Sequence, residues 1–148
     1  KALRLSASEA RLARGHTAAR ILLVEDDALS RAVTLALLAT VLPAVDVAED
    51  GLQALRMATL RPYDLILMDV QMPGLNGLDA TRQIRLLPGG AETTIIAVTA
   101  NAFDEDRTAC LAAGMNGFLA KPFEPATLFD GLVTWLSRRR AGSDAGSG

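Results

Sequence analysis

Short apolar runs alternate along the chain with longer segments in which apolar residues recur every three or four positions. A short apolar run bounded by turn residues is typical of a strand buried on both faces, and the longer spacing is typical of a helix. The runs predict five strands, which we place at 21–24, 44–48, 65–69, 94–99 and 117–120. The periodic segments predict five helices, at 28–42, 52–60, 78–87, 102–113 and from Pro125 onward.

The strict alternation of strands and helices indicates the fold class. Such an order favours parallel βαβ crossovers, with helices on both faces of a single sheet. A doubly wound α/β sheet with one switch point, in a single domain, is the natural topology. Asp27 is predicted to cap the first of these helices. That helix also carries an apolar stripe of the kind that faces a core, formed by Leu29, Val33, Leu37 and Val41.

Composition divides the chain into three parts. Residues 1–19 have weak periodicity and predict a linker or an N-terminal extension. Residues 20–140 contain all the predicted strands and helices and form the predicted domain. The Gly- and Ser-rich residues 141–148 predict a disordered tail.

The net charge of −2 conceals an acidic centre between two basic flanks. Residues 1–20 carry five Lys or Arg and one Glu (+4), residues 21–137 carry seven Lys or Arg and fifteen Asp or Glu (−8), and residues 138–148 carry three Arg and one Asp (+2). An acidic domain argues against nucleic acid as a partner and permits the binding of a cation.

Residue counts exclude several kinds of site. A single cysteine, Cys110, cannot form a disulfide framework or a thiolate metal site within the chain. A single histidine, His16, lies outside the predicted domain and excludes a multi-histidine metal site or a Ser-His-Asp triad in the core. The apolar runs are too short to span a bilayer. We therefore expect a cytoplasmic domain without membrane contact.

Polar residues that could bind a metal ion or take part in a reaction stand at the ends of four predicted strands. Glu25 and Asp26 follow the first strand, Asp69 ends the third, Thr99 ends the fourth and Lys121 follows the fifth. Because the carboxyl ends of parallel strands meet at one edge of a sheet, we expect these side chains to converge. Three carboxylates at one edge repel one another, and a hard divalent cation with oxygen ligands, such as Mg²⁺, resolves the repulsion.

This set of residues predicts a site that handles a phosphoryl group. Glu25 and Asp26 are candidate metal ligands, and Asp69 is the candidate acceptor because carboxylates are known to form aspartyl-phosphate. Lys121 and the hydroxyl of Thr99 can neutralise and hydrogen-bond the phosphoryl oxygens. The chain has neither a G-x-x-x-x-G-K-[ST] loop nor a G-x-G-x-x-G motif, so the phosphoryl group must come from another molecule.

Four sequence pieces in order resemble the response-regulator receiver domain family of two-component signalling. They are ILLVEDD at 21–27, LMDVQMPG at 67–74, VTANA at 98–102 and KPF at 121–123, and the resemblance covers roughly residues 20–138. It implies a flavodoxin-like (βα)5 fold with strand order 2-1-3-4-5. It also implies phosphorylation of Asp69 by a histidine kinase or a histidine phosphotransfer protein.

The resemblance further implies a set of roles within the site. Mg²⁺ is expected to be bound by Asp26, by Asp69, by Glu25 directly or through water, and by the backbone carbonyl of Gln71. Thr99 and Lys121 are expected to contact the phosphoryl group, and the Lys121–Pro122 bond is expected to be cis.

The resemblance also has consequences outside the site. Phe118 stands where many members of the family have a switching Tyr, so a hydrogen bond from that hydroxyl is not available. The surface around the helix after the fourth strand, the fifth strand and the last helix is expected to respond to phosphorylation and could form a homodimer contact. The amino-acid sequences at 68–73 and 78–85 resemble those of receivers fused to hybrid sensor histidine kinases. This favours an intramolecular relay within such a kinase. The domain itself is then a phosphoacceptor switch rather than an enzyme acting on other molecules.

Two other classes of function were weighed. An aspartyl-nucleophile phosphatase normally has a second acid two residues after the nucleophile, and here that position is Gln71. A flavin- or nucleotide-binding module of the same topology needs a glycine-rich phosphate loop after the first strand, where this chain has acids.

Overall fold

A computed structural model describes residues 7–16, 18–72, 74–100, 104–121 and 123–147, with backbone alone for 104–106 and 139–147. Its helices are α1 (Ala7–Gly15), α2 (Ala28–Ala39), α3 (Gly51–Leu60), α4 (Gly77–Arg85), α5 (Asp104–Ala113) and α6 (Pro125–Ser147), with a 3₁₀ turn at Gly90–Glu92. Its strands are β1 (Ile21–Val24), β2 (Val45–Ala48), β3 (Leu65–Asp69), β4 (Thr94–Thr99) and β5 (Gly117–Ala120). No helix in these ranges is long and apolar enough to cross a membrane.

The five strands form one parallel sheet in the order β2-β1-β3-β4-β5. This confirms the predicted doubly wound α/β fold and its strand order. The sheet separates two apolar cores, because successive side chains along each strand point to opposite faces. On β1, for example, Ile21 and Leu23 belong to one core, while Leu22 and Val24 belong to the other.

Side-chain caps begin three of the helices that follow the strands. Asp27 accepts a hydrogen bond from the backbone N–H of Ser30 at 2.8 Å, which confirms its predicted role at the start of α2. Asp50 caps α3 in the same way, and Asn76 caps α4. Each cap satisfies a backbone N–H that has no partner inside its helix. The chain therefore turns from strand to helix within a few residues at the edge where the strands end.

The predicted apolar stripe of α2 is wrong in its N-terminal half. Leu29 and Val33 are 74% and 54% exposed, whereas Leu38 and Leu42 are fully buried. A second set of apolar positions, Leu35, Leu38 and Leu42, has the same helical spacing and packs on the core instead. Periodicity alone cannot choose between two such stripes, because both satisfy the spacing of a helix face.

The N-terminal helix α1 packs against α6. Leu12 is completely buried in the core on that side of the sheet, and the Ser8 hydroxyl donates a hydrogen bond to the Asp130 carboxylate of α6. At its other end, α6 continues to Ser147, through the stretch that we expected to be disordered. Extending an existing helix fixes only one residue per added hydrogen bond. The domain boundaries and the disorder of the tail remain predictions.

Candidate functional site

The strand register brings the predicted site residues to one edge of the sheet. Val24 pairs with Met68, so the residues that follow β1 lie beside Asp69 at the end of β3. Asp69 in turn pairs with Val98, next to Thr99, and Thr99 pairs with Ala120, next to Lys121. The convergence expected from the sequence is therefore present in the structure.

Three carboxylates form a compact cluster at this edge. Oxygen atoms of Glu25, Asp26 and Asp69 all lie within 4.8 Å of one another. Glu25 and Asp69 are buried, and Asp26 is exposed. A cluster with two buried acids and one open side has the oxygen-rich character that suits a hard divalent cation.

Lys121 supplies the positive charge nearest to the two buried acids. Its ammonium donates a hydrogen bond to Glu25 Oε1 and lies 3.5 Å from Asp69 Oδ2. The backbone N–H of Lys121 donates to the carbonyl oxygen of Thr99 at 2.8 Å, which fixes the lysine against the end of β4. Thr99 itself is 2% exposed.

Burial and charge push the protonation of the two buried acids in opposite directions. Burial, together with the hydrogen bond and charge of Glu25, raises the pKa of Asp69 to about 7, against the opposing charge of Lys121. Burial also acts to raise the pKa of Glu25, but hydrogen bonds with Asp69 and Lys121 outweigh it and lower that pKa. The same two acids overcome the effect of burial on Lys121 and raise its pKa. Below about pH 7 the metal-free cluster therefore favours a proton on Asp69 beside an ionised Glu25 and a charged Lys121.

The loop after β3 holds the Asp69 carboxylate from its own backbone. The N–H of Gln71 donates to Asp69 Oδ1 at 3.1 Å. The N–H of Gly77 donates to the carbonyl of Val70 at 3.2 Å and closes the loop. A Cβ at Gly77 would lie 2.2 Å from the backbone oxygen of Asp69, so this close approach requires glycine. The Gln71 side chain is exposed.

An open apolar groove borders the site. It has a cavity volume of about 620 Å³, and Lys121 lies at one edge. The exposed α2 residues Leu29 and Val33 line it, together with Phe123 and Pro125. Leu29 and Val33, which were predicted to face the core but are exposed, therefore lie beside the site.

Sequence reasoning missed Arg31, in the first turns of α2. Its guanidinium Nη1 donates to the carbonyl oxygens of Glu25 at 3.0 Å and Asp26 at 3.4 Å. Its Nη2 lies 3.4 Å from Glu49 Oε1, in the loop after β2. Arginine is common on helix surfaces, so the sequence contained no signal that this one reaches back to the acids.

Two further predictions concern β5. Phe118 is half-buried, and the Arg107 guanidinium of α5 lies 5.1 Å from the centre of its ring, within the range of a cation–π contact. The predicted cis bond at Lys121–Pro122 lies outside the described residues, as do Asn101 and Ala102 of the VTANA piece.

Known proteins share both the sequence and the fold. The family model for the response regulator receiver domain matches residues 21–132. The signal transduction histidine-protein kinase BarA of Escherichia coli (strain K12) is 37% identical over 115 residues, which cover 78% of this chain and 12% of that protein. Transcription factor SKN7 of Saccharomyces cerevisiae is 41% identical over 119 residues, which cover 80% of this chain and 19% of that protein. The chain thus spans less than a fifth of the length of these two relatives.

Solved structures show the same likeness over nearly their whole length. The receiver domain of sensor histidine kinase PA1611 from Pseudomonas aeruginosa PAO1, which has a magnesium ion coordinated in its active site cleft, is 47% identical with a TM-score of 0.75. That comparison covers 80% of this chain and 98% of the other. The chemotaxis protein CheY4 of Vibrio cholerae is 32% identical with a TM-score of 0.74, over 77% of this chain and 95% of the other.

Proposed function

The chain belongs to the response regulator receiver domain family, and from this we propose that it accepts a phosphoryl group on Asp69 and acts as a switch in a two-component phosphorelay. The observation that carries the proposal is the convergence on Asp69 of two further carboxylates and one lysine. Asp69 is itself buried, and the backbone N–H of Gln71 holds one of its carboxylate oxygens while the other lies 3.5 Å from Lys121 Nζ.

In the proposed reaction, Asp69 is the nucleophile. Its ionised carboxylate oxygen forms a bond to phosphorus as the phosphorus–nitrogen bond of a phosphohistidine breaks. The imidazole nitrogen of the donor keeps the electron pair and is protonated by solvent. The Gln71 N–H holds one carboxylate oxygen of Asp69, which leaves the other for the attack. The proton held by the metal-free Asp69 must leave before this step, since a neutral carboxyl is a poor nucleophile.

The donor set fits Mg²⁺, which prefers a few carboxylate ligands and keeps several waters. We propose that Glu25, Asp26, Asp69 and the backbone carbonyl of Gln71 hold the ion, in line with the magnesium in the cleft of the PA1611 receiver. When bound, Mg²⁺ neutralises the charge on the carboxylates and on the phosphoryl oxygens. With Glu25 engaged by the ion, the Lys121 ammonium is available for a phosphoryl oxygen.

The conformational response is proposed to begin at Thr99 and Lys121. Both lie at the ends of adjacent strands, β4 and β5, and both are expected to follow the new negative charge. Phe118, held under Arg107, lies two strands from Asp69 on β5 and connects these residues to α5. We propose that the surface of α5, β5 and α6 then changes and can form a homodimer contact. Light scattering before and after phosphorylation measures this, and an unchanged monomer mass in both states would remove the dimer from the proposal.

A protein donor fits the surroundings of the site. Apolar side chains exposed beside a reactive carboxylate favour contact with another protein over contact with water. Histidine kinases and histidine phosphotransfer proteins are the donors that receivers use, and we propose one of these for this chain. The relatives include both a histidine kinase and a transcription factor. We propose the hybrid-kinase setting, in which the receiver relays the group within its parent protein in the cytoplasm.

A phosphatase activity is less well supported. The position two residues after Asp69 is the exposed amide Gln71, which cannot act as the second acid. The loop after β1 carries acids where a flavin or nucleotide module needs a phosphate-binding turn.

Phosphorylation by a small donor tests the proposed function. Wild-type protein incubated with Mg²⁺ and acetyl phosphate should gain the mass of one phosphoryl group, measured by intact-protein mass spectrometry. The gain should disappear in Asp69→Asn and on removal of Mg²⁺ with a chelator. The matched control is Asp79→Asn, which alters an acid that is ion-paired at the surface with Arg82 and should leave the gain intact. A wild-type protein that gains no mass would contradict the proposal.

A further inference from the structure

We propose that Arg31 is a positioning residue that holds the acid pair Glu25–Asp26 in place for Mg²⁺. The inference rests on the proposed function, because it assumes that this cluster binds the ion. Arg31 belongs to neither the predicted site nor the motif pieces that resemble the receiver family, and the geometry alone points to it.

The contacts of Arg31 are directed at the backbone that carries the acids. Both contacts from Nη1 go to the carbonyl oxygens of the two consecutive acids, Glu25 and Asp26. Beyond Val24, β1 has ended, so these carbonyls lie past the last residue that pairs with β2 or β3. The Arg31 guanidinium donates to these two carbonyls, as the backbone N–H groups of a neighbouring strand would.

A second anchor ties the arginine to the neighbouring loop. Nη2 of Arg31 forms an ion pair with Glu49, which follows β2. Glu49 is held in turn, because its backbone N–H donates to Gln53 Oε1 of α3. The Glu25 N–H also donates to the carbonyl of Ala48 in the same region. The acid segment is thus fastened to the end of β2 by a backbone hydrogen bond and to the loop after β2 by the Arg31 side chain, which is only 20% exposed.

Such fastening matters because the acids repel one another. Once Asp69 is ionised, as metal binding requires, three carboxylates with oxygens within 4.8 Å of one another favour any backbone change that separates them. A guanidinium fork presents its N–H groups in a fixed geometry and resists that change at two adjacent carbonyls. Holding ligands in the binding geometry before the ion arrives raises affinity, since binding then needs less ordering.

A positive charge near a cation site has the opposite effect. If the charge of Arg31 dominated, its removal would tighten Mg²⁺ binding through lower repulsion. If positioning dominates, its removal weakens binding. The ion pair with Glu49 compensates part of the charge, which favours positioning. The sign of the change in affinity therefore distinguishes the two effects.

Calorimetric titration of the full chain with Mg²⁺ is the central experiment. We expect Arg31→Gln to weaken Mg²⁺ affinity by roughly tenfold, at the lower end of the loss seen when residues behind metal ligands are changed. Arg31→Lys keeps the charge but cannot reach both carbonyls and Glu49 together, so we expect a partial loss. Glu49→Gln should give a smaller loss that is not additive with Arg31→Gln. The matched control is Arg56→Gln, which removes the same charge from an exposed position on α3 and should leave the affinity within about twofold.

Two further measurements separate positioning from a general loss of structure. The Mg²⁺ concentration for half-maximal phosphorylation by acetyl phosphate should rise with the dissociation constant, while the maximal rate falls much less. The Tm without metal shows whether a variant is folded; if Arg31→Gln does not fold, Arg31→Lys and Glu49→Gln carry the test.

The possible failures are distinct. A wild-type protein that does not bind Mg²⁺ would contradict the proposed function. A wild-type protein that binds Mg²⁺, with Arg31→Gln binding equally well or more tightly, would overturn the role of Arg31 and leave the proposed function intact.

Discussion

At the scale of single residues, Asp69 and Glu25 show how two similar acids acquire different protonation. Both are buried at the same edge, but Glu25 accepts hydrogen bonds from Asp69 and at close range from Lys121, while the Lys121 contact with Asp69 is a longer one at 3.5 Å. The better-compensated acid ionises first, and its charge then makes ionisation of the other harder. A proton on Asp69 and a metal ion beside it are therefore alternatives, and binding of the ion releases the proton.

This coupling predicts how stability without metal depends on pH. An acid whose pKa rises on folding stabilises the folded state below its unfolded pKa, near 4, and that stabilisation is lost as the pH rises through about 7. Asp69→Asn is neutral at every pH and can still donate to Glu25. In the presence of a chelator, we expect Asp69→Asn to exceed the wild-type Tm by roughly 2–4 °C at pH 8, corresponding to about 1 kcal/mol, and by clearly less at pH 5.

Thermal unfolding at pH 5 and pH 8 measures this effect. The surface control Asp79→Asn should keep the pH dependence of the wild type. The idea of a proton held on Asp69 fails if Asp69→Asn and wild type differ by the same amount at both pH values.

At the scale of elements, the structure differs from the sequence-based prediction in which apolar stripe of α2 faces the core. Two apolar stripes run along this helix, and the sheet receives the one that contains Leu38 and continues to Leu42. Leu29 and Val33 then face the groove next to Lys121. These two exposed apolar side chains are thus available for contact with a partner.

We expect a double substitution on this helix to separate docking from chemistry. Leu29→Ser with Val33→Ser should slow transfer from a phosphorylated histidine kinase or phosphotransfer protein by about tenfold, or ~1.4 kcal/mol, through lost apolar contact with the donor. Phosphorylation by acetyl phosphate should stay near the wild-type rate, because a small donor needs no docking surface.

Rates of transfer from both kinds of donor provide the measurement. Leu60→Ser changes an equally exposed leucine on α3, outside the groove, and serves as the control. An equal loss with both donors would mean that the substitutions disturb the site, and no loss with either would mean that the groove is not used.

The loop after β3 shows an element whose conformation was only partly predictable. Pro and Gly at 73–77 are typical of a turn, but they do not reveal that Gly77 lies against the backbone of Asp69 itself. The packing of Gly51 against the carbonyl of Leu75 likewise depends on α3 and the loop meeting in space. Both approaches depend on how the chain folds back on itself, within the loop or between α3 and the loop, and a strand or helix repeat in the sequence does not report them.

At the scale of the whole molecule, the sheet divides the apolar residues into two cores, and α1 extends one of them. Leu12 is buried with residues of α2 and α6 although it precedes the segment that matches the receiver model. This helix therefore adds apolar burial to the domain from outside the matched region.

The contribution of α1 can be measured by truncating one side chain. We expect Leu12→Ala to lower the free energy of unfolding by about 3 kcal/mol, because it removes a fully buried leucine and leaves a cavity. The corresponding fall in Tm is roughly 6–12 °C. Arg11→Ala, at an exposed neighbouring position of the same helix, should change little. Equal stabilities of the two variants would show that α1 does not pack on the domain, and Mg²⁺ affinity should be unchanged in both.

Much of this protein was determined by the sequence itself. From β1 onward, apolar runs and helical spacing predicted each strand and the start of each helix within a few residues, because burial on two faces and on one face leave different periodicities. The positions of Glu25, Asp26, Asp69, Thr99 and Lys121 at strand ends predicted their convergence, because a parallel sheet places all those ends on one edge.

Tertiary structure alone decided the rest. The side of α2 that faces the core, the burial of Leu12 and the reach of Arg31 to two carbonyls depend on contacts between segments that are separate in the chain. The protonation of Asp69 belongs to the same class, since it follows from burial and from charges carried by other strands. Local sequence patterns record which residues are apolar or charged, whereas these properties depend on which neighbour each residue meets after folding.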